Sequence, residues 1–215
     1  MTCDDLPETI PIFPLEGALL LPDGLLPLNI FEERYVAMVN HALSTNRIIG
    51  MVQPNLDARK NGDANAIMGI GCAGRIVQFS ETDDGRYMIM LKGLSRFKVK
   101  EELQTISCYR STTCDWSNYN DDMVEDCDTI SIDRDEFFPL LERYFEKTGM
   151  DGDWDAIKSA PCETLLTTLP MICPFDSQEQ QALLEAKTLD QRFKTLTTLI
   201  EMGLNTHDNI VKLRH

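Results

Sequence analysis

The sequence predicts an α+β protein, with a barrel-like β-rich first half followed by a helical bundle. Three observations predict it. Up to about residue 115, short apolar runs with β-branched residues are separated by proline, glycine and Asp-Gly signals. After about residue 130, apolar residues recur at helical spacing, as in Phe137, Leu140, Leu141, Tyr144 and Phe145. Between the two, residues 115–136 hold nine acids against one base, Arg134, the composition of a solvated linker. The expected organisation is a β-rich subdomain over 1–115, an acidic linker over 116–130, a helical subdomain over 131–205 and a tail over 206–215.

Residues 9–13 (TIPIF) alternate as a strand and stop at Pro14. The stretch 14–28 carries Gly17, Pro22, Gly24 and Pro27 and reads as an apolar loop. Asn29 is placed to cap a helix, with Glu32 three residues on. That helix runs to about Thr45, with Phe31, Tyr35, Val39 and Leu43 as its core-facing stripe. Residues 47–54 (RIIGMVQP) form a buried strand and 55–66 a polar loop. Residues 69–82 and 86–93 form a hairpin about Asp83-Asp84-Gly85, a strong turn signal. Leu94–Val99 and Ile106–Cys114 extend the sheet.

Helices follow at 131–147, 161–172, 177–186 and 188–203, with a short turn at Asp153–Lys158. Pro139 kinks the first or marks its late start. Pro161 sits in a first turn. Ser177 with Gln180, and Thr188 with Gln191, read as capping boxes, and Gly203 as a stop.

Composition excludes several function classes. The 215 residues carry a net charge of −15, from 20 basic and 35 acidic side chains. A nucleic-acid backbone and an anionic membrane surface would both be repelled. No apolar run approaches the ~18 residues of a membrane span. The opening residues are acidic and unlike a secretory leader, so a cytoplasmic location is expected. The seven cysteines (3, 72, 108, 114, 127, 162 and 173) include no CxxC and are expected as free thiols. His41, His207 and His215 have no ligand-like spacing to them, so no metal is expected. No G-x-x-x-x-G-K-[ST] loop occurs to cradle a nucleotide, and no cofactor is expected.

A series of motifs points further. Ile12-Phe13-Pro14-Leu15, Pro22, Pro27-Leu28 and Ile30-Phe31-Glu32-Glu33-Arg34-Tyr35 are followed by Ile49-Gly50-Met51-Val52-Gln53. Then come Gly71 to Ile76, Asp84-Gly85, Gly93-Leu94-Ser95-Arg96-Phe97, and Glu179 to Glu185 with Arg192. In this order they resemble the N-terminal, substrate-binding domain of Lon proteases over about residues 9–203. The resemblance implies a PUA-like β subdomain followed by a helical bundle, in a stand-alone form lacking the ATPase and Ser-Lys protease modules. Cereblon uses a related domain as a protein-docking surface, which widens the options beyond proteolysis.

The candidate peptide-binding residues are Leu19, Leu20, Leu21, Leu25 and Leu26, five leucines in one irregular segment. As an exposed patch they would grip unfolded peptide; the competing reading packs most of them under the sheet. Met88 and Met90 share a strand face, which suits core or sheet surface as well as adaptable binding. Arg34, Arg75 and Arg96 are read either as anchors for a peptide carboxylate or as internal ion pairs, with Glu32 or Glu33 for example. The expectation is a non-catalytic module that binds client polypeptide or works with protein-quality-control machinery. A scaffold docking one fixed protein partner is the alternative, and an enzyme with an unrecognised site comes last.

Overall fold

The computed structural model describes residues 5–103, 107–123 and 132–206. Two compact units divide the chain between Asp126 and Cys127.

The first unit is built on six strands: β1 (Thr9–Pro14), β2 (Leu25–Ile30), β3 (Ile48–Pro54), β4 (Ile67–Glu81), β5 (Tyr87–Leu103) and β6 (Arg110–Asp115). Their order is β2-β5-β4-β3-β1-β6, and β6 also pairs with β5. Five strands therefore close into an uneven ring, with β2 as a flap along the first half of β5. β1 and β3 run parallel and the other pairs antiparallel. β5 reaches both sides because the ladders shift register at Ala73/Gly74, Ile76/Gln78 and Val99/Glu101. Such bulges bend and twist a strand.

The ring is filled by Leu6, Ile10, Ile12, Ile48, Val52, Ala73, Phe97 and Cys114. Phe97 is wholly enclosed, and two glycines make room for its ring. A Cβ at Gly50 would lie 2.8 Å from the Phe97 Cζ, and one at Gly71 2.9 Å from the same atom.

Two helices decorate the ring, α1 (Glu33–Ser44) and α2 (Leu56–Lys60). The first corrects the sequence reading. Residues 25–30 are not loop and helix start but strand β2, so the helix begins at Glu33, not Asn29. Strand pairing with β5 claims Leu28, Asn29 and Ile30 before a helix can use them. The buried stripe of α1 is Tyr35, Met38, Val39 and Ala42, while Phe31 lies outside it and is 66% exposed. The polar loop 55–66 contains α2, capped by the Asn55 side chain at the Ala58 amide.

The acidic stretch is also revised. Its start is a packed 3₁₀ turn, Ser117–Met123, set against β5. Asp122 accepts hydrogen bonds from the Arg96 backbone amide and Nε, each at 2.9 Å, and Nη2 at 2.6 Å. Both side chains are under a tenth exposed. Arg96 also stacks 4.5 Å from the Tyr119 ring centre. Burial alone would push the Arg96 guanidinium down; the Asp122 carboxylate outweighs it and holds the group above its ordinary value. Of the expected linker, 124–130 lies outside the described residues, as do Ile106, Cys3, Cys127, His207 and His215.

The second unit holds α3 (Arg134–Thr148), α4 (Trp154–Ser159), α5 (Cys162–Ile172), α6 (Ser177–Glu185) and α7 (Leu189–Thr206). α7 packs against α3, α5 and α6. α3 is capped by Asp133, passes through Pro139 and ends at Gly149 in the left-handed region. The α6 box is one residue earlier than read: Asp176 pairs with Glu179. Pro161 is the cap of α5 rather than its first turn. Gly203 does not stop α7. It sits inside the helix because a Cβ there would lie 2.7 Å from the Tyr144 ring.

Candidate functional site

The segment before β2 decides what the first unit shows to solvent. It crosses the sheet as a strap, pinned where the Asp23 amide donates to the Gly93 carbonyl (3.1 Å) and the Gly93 amide to the Gly24 carbonyl (2.8 Å). The fit needs bare backbone beneath it. A Cβ on Gly93 would lie 2.0 Å from the Leu21 carbonyl oxygen, and one on Gly74 2.7 Å from the Leu20 Cδ2. Leu19, Leu20 and Leu21 are consequently buried. Three of the five candidate leucines are thus core residues, each worth about 1.5–3 kcal/mol when fully buried. Leu25 is exposed and Leu26 half-buried.

Strand alternation explains that split. β2 pairs with β5 in the register Leu25↔Lys92, Leu26↔Leu91, Pro27↔Met90, Leu28↔Ile89 and Asn29↔Met88. Leu28, Ile89 and Leu91 turn inward and are buried. Leu25, Pro27, Met88 and Met90 turn outward, which leaves an apolar strip with Leu25 57% and Met88 43% exposed. β2 is the flap of the sheet, an edge position where the missing proline N–H is tolerated.

Along the second half of β2 the strip meets a groove of about 300 Å³, lined in part by Pro27, Asn29, Ile30 and Glu32. Its lining includes Phe13, Leu15, Leu28, Phe31, Arg34 and Tyr35. The Phe13 and Tyr35 rings lie 4.1 Å apart, centre to centre. The Arg34 guanidinium lies 4.5 Å from the Tyr35 ring centre. Burial raises the Tyr35 phenol above its ordinary value against the lowering effect of Arg34, so it stays a neutral donor. Arg34 also lines a wider, polar bowl of about 810 Å³ with Lys100, Glu102 and Arg110.

Of the three arginines singled out from sequence, Arg34 pairs with Glu32 at 2.8 Å and Arg96 with Asp122. Arg75 is half-buried on β4. Phe31 was missed because the helical stripe assigned it to the core. The signal that could have found it is the alternation through Pro27-Leu28-Asn29-Ile30, which makes a strand and frees the next residue. Among the described residues, no three His, Cys, Asp or Glu side chains gather as metal ligands. Burial pushes the Cys114 and Cys173 thiols up to about 12, which keeps them protonated and inert.

Comparison with known proteins places this geometry in context. The profile of the ATP-dependent protease La (LON) substrate-binding domain matches residues 9–202. A Lon protease of Desulfosudis oleivorans is 32% identical over 108 residues, 48% of this chain and 13% of that protein. One from Dictyoglomus thermophilum is 34% identical over 101 residues, 47% of this chain and 13% of that protein. The matched region thus spans about an eighth of the length of these relatives. Among solved structures, a Lon N-terminal domain protein from Xanthomonas campestris aligns with TM-score 0.61 at 20% identity, covering 88% of this chain and 97% of that one. The N-terminal domain of a Mycobacterium avium complex Lon protease aligns with TM-score 0.62 at 14% identity, covering 92% and 99%.

Proposed function

The chain belongs to the Lon substrate-binding domain family, and from that premise we propose that it is a non-catalytic module that binds polypeptide, as a receptor for client proteins or a component of protein quality control. The observation that carries the proposal is the outward apolar strip of Leu25, Pro27, Met88 and Met90, continued by Phe31 at the lip of the groove. Large apolar side chains grouped on one surface of a highly acidic chain have a use where another chain covers them. Methionine suits varied sequences because its side chain adapts. Leu25 remains the member of the sequence-selected set that a partner reaches; Leu26, opposite Leu91, is half-buried on the inward face, and Leu19, Leu20 and Leu21 hold the strap that presents Leu25. The work is done in the cytoplasm, with no cofactor and no nucleic-acid or membrane partner, in keeping with the net charge of −15.

The test is capture of unfolded casein by the full chain. Single apolar contacts contribute at most a few kcal/mol and part is lost to ordering the peptide, so affinity is expected in the micromolar range or weaker. Leu25→Asp and Phe31→Asp should each weaken capture and leave the melting temperature unchanged. Capture unaffected by both substitutions would remove the strip from the binding surface.

A further inference from the structure

Three arginines of the first unit are each held by one edge. Arg34 is held along one edge, its Nε and Nη2 reaching the Glu32 Oε2 at 2.9 and 2.8 Å. Arg110 is held along the same edge by Glu102, at 2.8 and 2.5 Å. Arg59 is fixed by its Nε alone, which donates to the Ala66 carbonyl at 3.1 Å. In each, the Nη1 side meets no acceptor among the described residues. Arg34 lines both the groove and the bowl, and Arg110 lines the bowl. In a chain of net charge −15, one oriented guanidinium with an open edge, Arg34, thus stands where the groove meets the polar bowl, beside the Glu32 that holds its other edge.

A planar guanidinium edge fits a carboxylate with two parallel hydrogen bonds. The carboxylates already present do not compete for that edge; they hold the opposite one and set the orientation. The groove adds a constraint of size. At about 300 Å³ it is at the small end of ligand sites, enough for one or two side chains and not for a long segment. A chain end meets both demands together, because its last side chain and its carboxylate hang on the same Cα. An internal acidic residue carries its carboxylate at the tip of a side chain and continues the backbone in both directions.

We propose that this cleft takes the C-terminal end of a polypeptide, with an apolar last side chain in the groove over Phe13 and Tyr35 and the terminal carboxylate on the open edge of Arg34. The inference rests on the polypeptide-binding reading above and specifies its substrate class.

The test uses the full chain and three fluorescein-labelled peptides, read by anisotropy. One ends in leucine as the free acid, the second is the same peptide as its C-terminal amide, and the third is that amide with glutamate before the leucine. The free acid should bind about tenfold tighter than the amide, the effect of one charge-assisted pair. Arg34→Gln should erase the difference, and added salt should shrink it. Arg34 is half-exposed, and an unchanged melting temperature will show that the variant is folded. Equal binding of acid and amide, both weakened by Phe31→Asp, overturns the carboxylate assignment and leaves peptide binding standing. A glutamate amide that matches the free acid overturns it in favour of an acidic side chain. No binding of any peptide by a chain that captures casein overturns this inference alone; failure with casein as well removes the reading beneath it.

Discussion

Removing the Asp122 carboxylate should cost the first unit a large part of its stability. In Asp122→Ala the Arg96 guanidinium, 5% exposed as a residue, loses the acceptor of its Nε and Nη2, and its backbone amide loses an acceptor at 2.9 Å. Breaking a buried pair from one side typically costs about 3–5 kcal/mol, because the remaining charge stays desolvated. For a unit of 126 residues, roughly 4 °C per kcal/mol gives a fall of roughly 12–20 °C in Tm. Urea unfolding followed by Trp116 fluorescence, in a Trp154→Phe background, reads the first unit alone. Trp116 suits this because its ring lies 5.6 Å from Phe97 and its Nε1 donates to the Pro7 carbonyl. Arg86→Ala, which breaks a half-exposed pair with Asp84, should cost under about 1 kcal/mol. The double change Arg96→Met with Asp122→Leu should recover most of the loss, since neither charge is then stranded. If Asp122→Ala costs no more than Arg86→Ala, the 3₁₀ turn is not packed on β5 and the segment is the solvated linker its composition suggests.

Other expectations follow from the same structure. Leu20→Ala should destabilise by about 2–5 kcal/mol and Leu25→Ala by under about 0.5 kcal/mol, compared by urea midpoints. Gly93→Ala should cost about 3 kcal/mol by forcing the strap off the sheet, whereas Gly69→Ala, with nothing near its Cβ, should be close to neutral. Alkali should weaken the fold. The Cys114 thiol is raised from 9.0 to about 12, so its contribution is intact below the unfolded value and is lost as pH rises from there through about 12; urea midpoints across that range will show the decline. Iodoacetamide at about pH 8 should label exposed Cys108 in the folded chain, and Cys114 and Cys173 only after unfolding, as read by peptide mass mapping.

The sequence made the hairpin, the buried third strand and the helical second half legible, because each carries its own period and its own punctuation. What it hid was non-local. Nothing near Pro27 says that β5, some sixty residues on, will pair with Leu25–Ile30, and without that partner the prolines read as loop. Asp122 looks like one acid among nine until Arg96 is beside it. Leu20 and Leu25 look alike in sequence. They differ because Gly74 and Gly93 leave a berth for the strap, and a glycine records only that room is needed, not what fills it. Of the five candidate leucines, the sequence could not tell the three that the strap buries from the one that β2 exposes.

The position of β1 in the ring has a consequence for how the chain must be made. Thr9 pairs with Thr113, and Ile12 with both Gly50 and Arg110. As synthesis proceeds, the first strand is present long before β6 exists, and it cannot gain its full set of neighbours until then. Contacts of such sequence separation slow folding, and the apolar N-terminal segment is exposed while it waits. On the function proposed above, a binder of unfolded chains would thus begin its own life as an unfolded, adhesive one. Release of nascent chains stalled before residue 110 should yield material that aggregates, while chains extended past Met123, with the 3₁₀ turn and Asp122 in place, should resist protease over the first unit.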